Sequence, residues 1–390
     1  MLLARSIPRK RGLLAFGAWF GELFSDNPKY LALHLLEHTD ARIVWIGNPE
    51  VESRLPSYDR LEFARRGSLK AALALLRAKT WVFCQSAPLD LTSLPLHGKA
   101  LRLNLWHGIP LKYIGHNAPK NKAKKQDPAL VRSLYDTIYS GADWTSVSSP
   151  SMRTLIADDC PTMFSAGRCL RAGMPRNDFL LENRENTALR AAIKRKYASI
   201  FGFDVNRKVV LYMPTYREPG NDLFRFYDCP EDKRDRVRAV LDGCGAILLE
   251  KHHFQTYRNH PVVQSNGCSI AIRSENKHDI DVQELLLIAD ILITDYSSVY
   301  FDFALLKRPV LHFAYDLERY ETVDAGLAYD IRKVAAGPIV RTFNELLDEL
   351  NTQLRSPAFR PAQDFLDLIE YENGDACQKI AEFLRERSCL

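Results

Sequence analysis

No uninterrupted apolar run in the 390 residues is long enough to span a bilayer as a helix. The basic start, Met1 to Gly12, followed by apolar Leu13 to Phe20, has the outline of a signal peptide. The apolar part is broken by Gly17, runs straight into Gly21-Glu22 and lacks a small-residue cleavage site, so it reads as a first core strand and the expected location is the cytoplasm. The eight cysteines never fall in a C-x-x-C spacing, which argues against a zinc ribbon and a disulfide framework. There is no G-x-x-x-x-G-K-[ST] loop, no G-x-G-x-x-G after a strand and no H-E-x-x-H, so a P-loop kinase, a dinucleotide dehydrogenase and a zincin are all disfavoured. The nearest thing to a metal motif is Asp279-Ile280-Asp281, a two-letter pattern too common to carry a site, and no metal or other cofactor is expected. Charge is not one-sided either: 53 basic against 48 acidic residues give +5, enough to suit an anionic partner such as a phosphate, a nucleotide or a membrane surface, with nothing that points to nucleic acid.

What remains is a chain with 46% hydrophobic and 26% charged residues, the balance of a globular protein, and long enough for two cores. Its first half alternates short apolar runs with helical stretches. Leu13 to Trp19, Arg42 to Ile46, Trp81 to Cys84 and Leu101 to Leu105 read as strands, and 28–38 and 68–78 as helices, the first started by Asp26 or Asn27 as cap with Pro28 in the opening turn. Gly173-Met174-Pro175-Arg176-Asn177-Asp178 breaks the pattern, and it restarts with strands at Lys208 to Tyr212, Ala246 to Glu250, Ile291 to Thr294 and Pro309 to Phe313. Strands alternating with helices imply parallel sheets covered on both faces, here an α/β chain of two doubly wound halves about a central cleft, the GT-B architecture. The expected domains are 1–178, 179–360 and a helical C-terminal segment, 361–390, returning to the first domain.

Each strand of the second half ends in polar residues, and in open parallel sheets ligands bind beyond those ends. Thr215, Tyr216, Arg217, Lys251, His252, Asp295, Ser297, Ser298 and Asp316 are therefore expected on one rim. Arginine pairs with phosphate oxygens through parallel hydrogen bonds. Ser297 and Ser298 open a helix whose first amides and dipole favour phosphate, although a purely capping role is the plainer alternative, with Asp302 as a further capping candidate. Arg217, Lys251 and His252 together could neutralise a nucleotide diphosphate without a metal. In the first half, Trp106-His107-Gly108 follows a strand, and the glycine lets the backbone turn and present the histidine, a side chain suited to taking a proton near neutral pH. Lys112, Lys120, Lys122, Lys124 and Lys125 form a basic stretch, either a solvated face or a contact for anionic lipid or a polyanion.

Five ordered blocks resemble the CDP-glycerol glycerophosphotransferases, which build teichoic acid and capsule polymers. These are Phe24-Ser25-Asp26-Asn27-Pro28-Lys29, Trp106 to Lys112, Gly173 to Asp178, Tyr212 to Arg217, and Leu292 to Ser298 with Phe301-Asp302-Phe303. The resemblance implies a GT-B-like fold, with the acceptor on the N-terminal domain and the CDP-linked donor on the C-terminal one. It implies a general base at His107, a second catalytic histidine at His252, a donor site of Thr215, Arg217, Lys251, Asp295, Ser297 and Ser298, and acceptor or supporting roles for Asn27, Trp106, Gly108, Lys112, Arg176 and Asp178. The expected reaction moves glycerol phosphate, or a related polyol phosphate, to a hydroxyl of a glycan or polyprenyl-diphosphate-linked acceptor and releases CMP, at the inner face of the cytoplasmic membrane. The pattern departs from the family at His253-Phe254, where a proline often follows the Lys-His pair, and the length is nearer to the enzymes that add one unit. Two other readings fit the bare residues: a GT-B glycosyltransferase using a nucleotide-sugar, and a non-catalytic adaptor for polyanion or membrane.

Overall fold

The structure is a computed structural model that describes residues 6–94, 96, 98–113, 141–159, 168–217, 223–252, 269–272, 280–322 and 326–390. Lys120, Lys122, Lys124, Lys125, His253 and Asp279 lie outside the described residues, as do Cys160 and Cys268. The other six cysteines are free thiols.

The chain forms two units. The first comprises Met1–Ile109, Tyr113–Phe179 and Asp367–Leu390, the second Pro110–Lys112 with Leu180–Leu366. The first unit holds seven strands: β1 (Lys10–Phe16), β2 (Arg42–Gly47), β3 (Leu61–Arg65), β4 (Ala78–Phe83), β5 (Leu101–Asn104), β6 (Trp144–Ser146) and β7 (Cys169–Leu170). They pair in parallel in the order β3-β2-β1-β4-β5-β6-β7. The second holds β8 (Lys208–Tyr212), β9 (Ala246–Lys251), β10 (Ile270–Ile272), β11 (Ile291–Thr294), β12 (Val310–Phe313) and β13 (Ile339–Val340), also parallel, in the order β10-β9-β8-β11-β12-β13. Both orders reverse direction once, between β1 and β4 and between β8 and β11. Helices that cross on opposite faces diverge there and leave a crevice at the strand ends.

Strand alternation sorts the first core into two layers. Leu14, Phe16, Trp45 and Val82 face one side and pack with Leu31 and Leu35 of helix Asp26–His38 and with Ile380 and Leu384 of helix Ala376–Glu386. Ala15, Val44, Ile46, Trp81 and Phe83 face the other, against Ala71 and Leu75 of helix Leu69–Arg77. In the second unit Val210, Leu248, Ile293 and Leu311 pack with Val237 and Leu241 of helix Glu231–Gly243 and with Leu346, Leu350 and Leu354 of helix Phe343–Arg355. That last helix opens with a full capping box between Thr342 and Glu345.

Some local expectations are corrected. Residues 173–178 do not break regular structure throughout: Pro175 opens helix Pro175–Asn183, as a proline in a first helical turn can, and Arg176, Asn177 and Asp178 are buried on it. Asp178 accepts from the amides of Ala376 (3.0 Å) and Cys377 (2.7 Å), a supporting role in which it caps the returning C-terminal helix. Of the residues expected to cap the first helix, Asn27 is turned inward and Asp26 sits at φ +63°, its carboxylate accepting from the Asn27 amide.

Candidate active site

At the first crevice, β1 ends against Gly17, where a Cβ would lie 2.6 Å from the Asp90 carbonyl oxygen, so only glycine lets the chain pass. Beyond it Trp19 and Phe20 both take positive φ (45° and 62°), and across the crevice Trp106 does the same (57°) while Gly108 stands at 147°. With Asp26, four non-glycine residues take a conformation that side chains disfavour, two of them, Trp19 and Trp106, in ring contact with His107, the usual mark of a site held at a cost by its surroundings.

The forces that hold it can be named. Asp90, fully buried, accepts from the amide of Phe20 (3.0 Å) through one carboxylate oxygen and from the amides of Cys84 (3.0 Å) and Gln85 (2.7 Å) through the other. Burial pushes its carboxyl up to about 6, against the opposing pull of those three amides. Asp26 accepts from the Trp19 indole (2.9 Å) and from the Arg176 guanidinium (2.7 Å), and the same guanidinium nitrogen donates to the His107 carbonyl (2.9 Å). The buried Asn27 amide donates to the carbonyls of Leu105 (3.2 Å) and Trp106 (2.9 Å) and accepts from the Arg176 amide (3.1 Å). Asn27 and Arg176 thus fix the backbone around His107, the supporting role, with Asn27 fully buried.

His107 itself is half-buried. Its Nδ1–H donates to the Cys84 carbonyl (3.0 Å), which fixes the tautomer with the lone pair on Nε2. Trp106 stacks on the imidazole (4.7 Å between ring centres) and Trp19 meets it edge-on (5.6 Å). An imidazole so clamped, with its basic nitrogen defined, has the chemistry to accept a proton on Nε2.

The second crevice is electrostatic. Asp295, at the end of β11, accepts from the amides of Thr215 (2.7 Å) and Tyr296 (2.6 Å) and pairs with Arg217 Nη2 (2.9 Å). Asp316, at the end of β12, pairs with the same nitrogen (3.1 Å) and accepts from the Tyr296 hydroxyl (3.1 Å). The guanidinium also lies against the stacked rings of Tyr296 and Tyr320, 5.4 Å and 4.6 Å from their centres. Burial would loosen its proton, but the two carboxylates outweigh that and push its pKa above the ordinary arginine value. Asp295 is therefore a brace, and a carboxylate so placed would repel a phosphate rather than bind it. Arg217 Nε, Arg217 Nη1 and the Thr215 hydroxyl are buried and find no partner among the described residues, so three donors are left for an incoming anion.

Around them, Ser297 and Ser298 are half-exposed, and Ser298 precedes the short helix Val299–Ala304 without capping it through its side chain. Asp302 is buried inside that helix. Lys112 belongs to this second unit: it bridges to Leu327 and its ammonium lies 5.9 Å from the Tyr320 ring centre. Lys251 is buried at the end of β9. His252 is also buried, its Nε2–H donating to Glu250 (2.6 Å), whose carboxylate accepts as well from the amides of Phe226 and Tyr227, both 3.2 Å. Behind Asp295, His312 Nδ1–H donates to the Asp295 carbonyl (3.1 Å) and its Nε2 accepts from the Ala336 amide (3.2 Å), and burial pushes its pKa down to about 4. The Asp281 carboxylate caps helix Val282–Ile288 by accepting from the Gln283 amide (2.8 Å), and no metal-binding group of three or more side chains occurs among the described residues.

Sequence reasoning missed Trp19, Asp90, Glu250 and Tyr320. A charged residue inside an apolar strand, as in Ala246-Ile247-Leu248-Leu249-Glu250, was the available signal for the glutamate.

A family model described as CDP-glycerol:poly(glycerophosphate) glycerophosphotransferase matches residues 1–386. The teichoic acid glycerol-phosphate transferase of Staphylococcus aureus (strain NCTC 8325 / PS 47) is 30% identical over 97% of this chain and 94% of its own length. The teichoic acid poly(glycerol phosphate) polymerase of Bacillus spizizenii (strain ATCC 23059 / NRRL B-14472 / W23) is 28% identical over 97% and 93%. Among solved structures the wall teichoic acid polymerase TagF matches with a TM-score of 0.77 at 24% identity, covering 97% of this chain and 90% of that one, a likeness of fold that places both sheets in a GT-B-like architecture.

Proposed function

The chain belongs to the CDP-glycerol:poly(glycerophosphate) glycerophosphotransferase family, and from that membership we propose what the residues of each unit do in the reaction. The enzyme transfers glycerol phosphate from CDP-glycerol to a hydroxyl of a teichoic-acid-type acceptor, and CMP is released. The acceptor oxygen forms a bond to the phosphorus that carries glycerol, the bond from that phosphorus to the CMP oxygen breaks, and the hydroxyl proton passes to His107 Nε2. The second unit holds the donor: Arg217 Nε and Nη1, the Thr215 hydroxyl and the helix start at Ser297 and Ser298 meet the diphosphate oxygens, with Lys251 and Lys112 adding positive charge. Asp295 and Asp316 aim the guanidinium, and Glu250 orients His252. Phosphoryl-type transfer depends on positioning and charge stabilisation more than on covalent help, which fits a set of preplaced donors and one base.

The observation that carries this reading is the buried, doubly braced Arg217 with two guanidinium nitrogens and a neighbouring hydroxyl unspent. In water such donors would be solvated. Buried, they favour a ligand that brings anionic oxygens. The acceptor is a polyprenyl-diphosphate-linked glycan met at the inner face of the cytoplasmic membrane, with the protein attached peripherally; none of the helices among the described residues is long and apolar enough to cross a membrane.

The test is incubation of the full chain with CDP-glycerol and a lipid-linked or oligosaccharide acceptor. CMP should appear together with acceptor masses raised by glycerol phosphate. Release of a nucleoside diphosphate from a nucleotide-sugar would overturn the reading. His107→Ala should lower turnover by about 100- to 10,000-fold while calorimetry still registers CDP-glycerol binding, and near-parental turnover in that variant would remove His107 as the base.

A further inference from the structure

Helix Leu69–Arg77 is turned the wrong way for a helix on a protein bathed only in water. Its inner face, Ala71 and Leu75, packs on the sheet. The residues opposite that face are expected to be polar, yet Leu69 is 84% exposed and Leu73, one turn on, is 59% exposed. Leu76 continues the stripe, half-buried. Ser68 caps the helix by accepting from the Ala71 amide (3.1 Å), so this is a formed helix and the leucines are held outward. Leu94, 61% exposed, stands two residues before Leu96, whose carbonyl Arg9 ties (3.1 Å) to that of Leu75 (2.6 Å).

The charges beside the stripe are of one sign. Residues 65–79 include Arg65, Arg66, Lys70, Arg77 and Lys79 and no acidic residue. Arg66 is spent inward on the carbonyls of Phe20 (3.0 Å) and Pro88 (2.9 Å). Arg65, Lys70 and Arg77 stay exposed, and among the described residues Lys70 pairs with Glu62 at 3.4 Å, both side chains solvated. An outward leucine ridge flanked by cations is the pattern of a helix that lies in a membrane interface. Two-fold pairing with a second copy would set these cations against one another.

We propose that the Leu69–Arg77 helix is a docking surface for an anionic lipid bilayer, with Leu69 and Leu73 entering the interface and Arg65, Lys70 and Arg77 meeting lipid phosphates. The inference rests on the peripheral placement argued above and gives it a location. That location suits the chemistry: the Arg66 hydrogen bonds join the start of the helix to the Phe20 turn, whose neighbour Trp19 packs on His107. Lipid engaged at this helix lies on the same unit as the base that would act on a lipid-linked hydroxyl.

The test is co-sedimentation of the full chain with vesicles of phosphatidylcholine alone or mixed equally with phosphatidylglycerol. The parent should partition into the anionic vesicles, and less so as salt rises. Leu69→Gln with Leu73→Gln should lower the partition coefficient by about tenfold or more. Lys70→Gln with Arg77→Gln should lower it by about fivefold per cation on anionic vesicles and leave neutral vesicles unaffected. All variants should keep parental CMP release on a water-soluble acceptor, which separates this surface from the transfer reaction. The proposal is overturned if the leucine pair binds vesicles as the parent does, if an active parent fails to partition, or if the leucine changes only convert a dimer to a monomer in sedimentation velocity.

Discussion

Asp90→Asn separates two opposing terms at one position. In the parent the buried carboxyl is raised from 3.8 to about 6, so holding it ionised at neutral pH costs the folded state about 3 kcal/mol. Because the folded value lies above the unfolded one, this group favours folding most below pH 3.8, and its contribution falls as pH rises through about 6. Between pH 4.5 and 7.5 that amounts to about 2 kcal/mol of parental stability lost through Asp90 alone. Asparagine abolishes the titration. It also puts an NH₂ where an oxygen stood; with the remaining oxygen kept on Cys84 and Gln85, the Phe20 amide loses its acceptor, at about 1–3 kcal/mol. Near pH 7.5 the two effects nearly cancel, so global stability should stay close to the parent's. Near pH 4.5 the variant should be the weaker by about 2 kcal/mol more than at pH 7.5. Activity should fall even where stability does not, because the Phe20 turn carries Trp19 against His107. Urea unfolding of both proteins at the two pH values, with turnover measured alongside, makes the comparison. A stability difference independent of pH would refute the account of Asp90, and full turnover in a folded variant would refute its link to the histidine.

Arg217→Lys keeps a charge for Asp295 and Asp316 but cannot present the two spare guanidinium nitrogens, so the KM for CDP-glycerol should rise about tenfold or more with modest loss of stability; Arg217→Ala, which strands two carboxylates, should destabilise by about 3–5 kcal/mol in thermal unfolding. His312→Phe leaves the Asp295 carbonyl and the Ala336 amide unpaired and should cost about 2–5 kcal/mol. The parental histidine, lowered to about 4, loses stability as pH falls from 6.5 towards 4, a dependence opposite in sign to that of Asp90, and the variant should lack it when melted across that range.

The α/β class, the central strands and the polar strand ends were legible because buried parallel strands are continuous apolar runs stopped by polar turns. Ile291–Thr294 is the expected strand without adjustment. The short outer strands β3, β6, β7, β10 and β13 were not, since two to five residues give no period to read and their pairing comes from neighbours distant in sequence. His107 stood out by its glycine. Its support did not, because Asp90 reaches Phe20, and Asp26 and Arg176 reach each other, far along the chain, and a carboxylate that accepts amides looks the same in sequence as one that caps a helix. Likewise Asp295, expected beside the donor phosphates, turned out to hold Arg217: a sequence places a residue on a rim, but only the partners it finds decide whether it faces a ligand.

The first sheet is sealed by helix Ala376–Glu386, capped by Asp178 across nearly two hundred residues, while the Gly12 amide donates to the Cys389 carbonyl (3.0 Å). This reverses the usual schedule on the ribosome, where the N-terminal domain is complete first. Here the stretch from Leu180 to Leu366 can collapse as soon as it emerges, whereas the strands of the first sheet must wait, one hydrophobic layer uncovered, until helix Ala376–Glu386 has been made. During that interval the buried ridge of Leu14, Phe16 and Trp45 is the part of the nascent protein most in need of a chaperone, and a stall anywhere before residue 376 would release a polypeptide with a finished second half and an unfinished first.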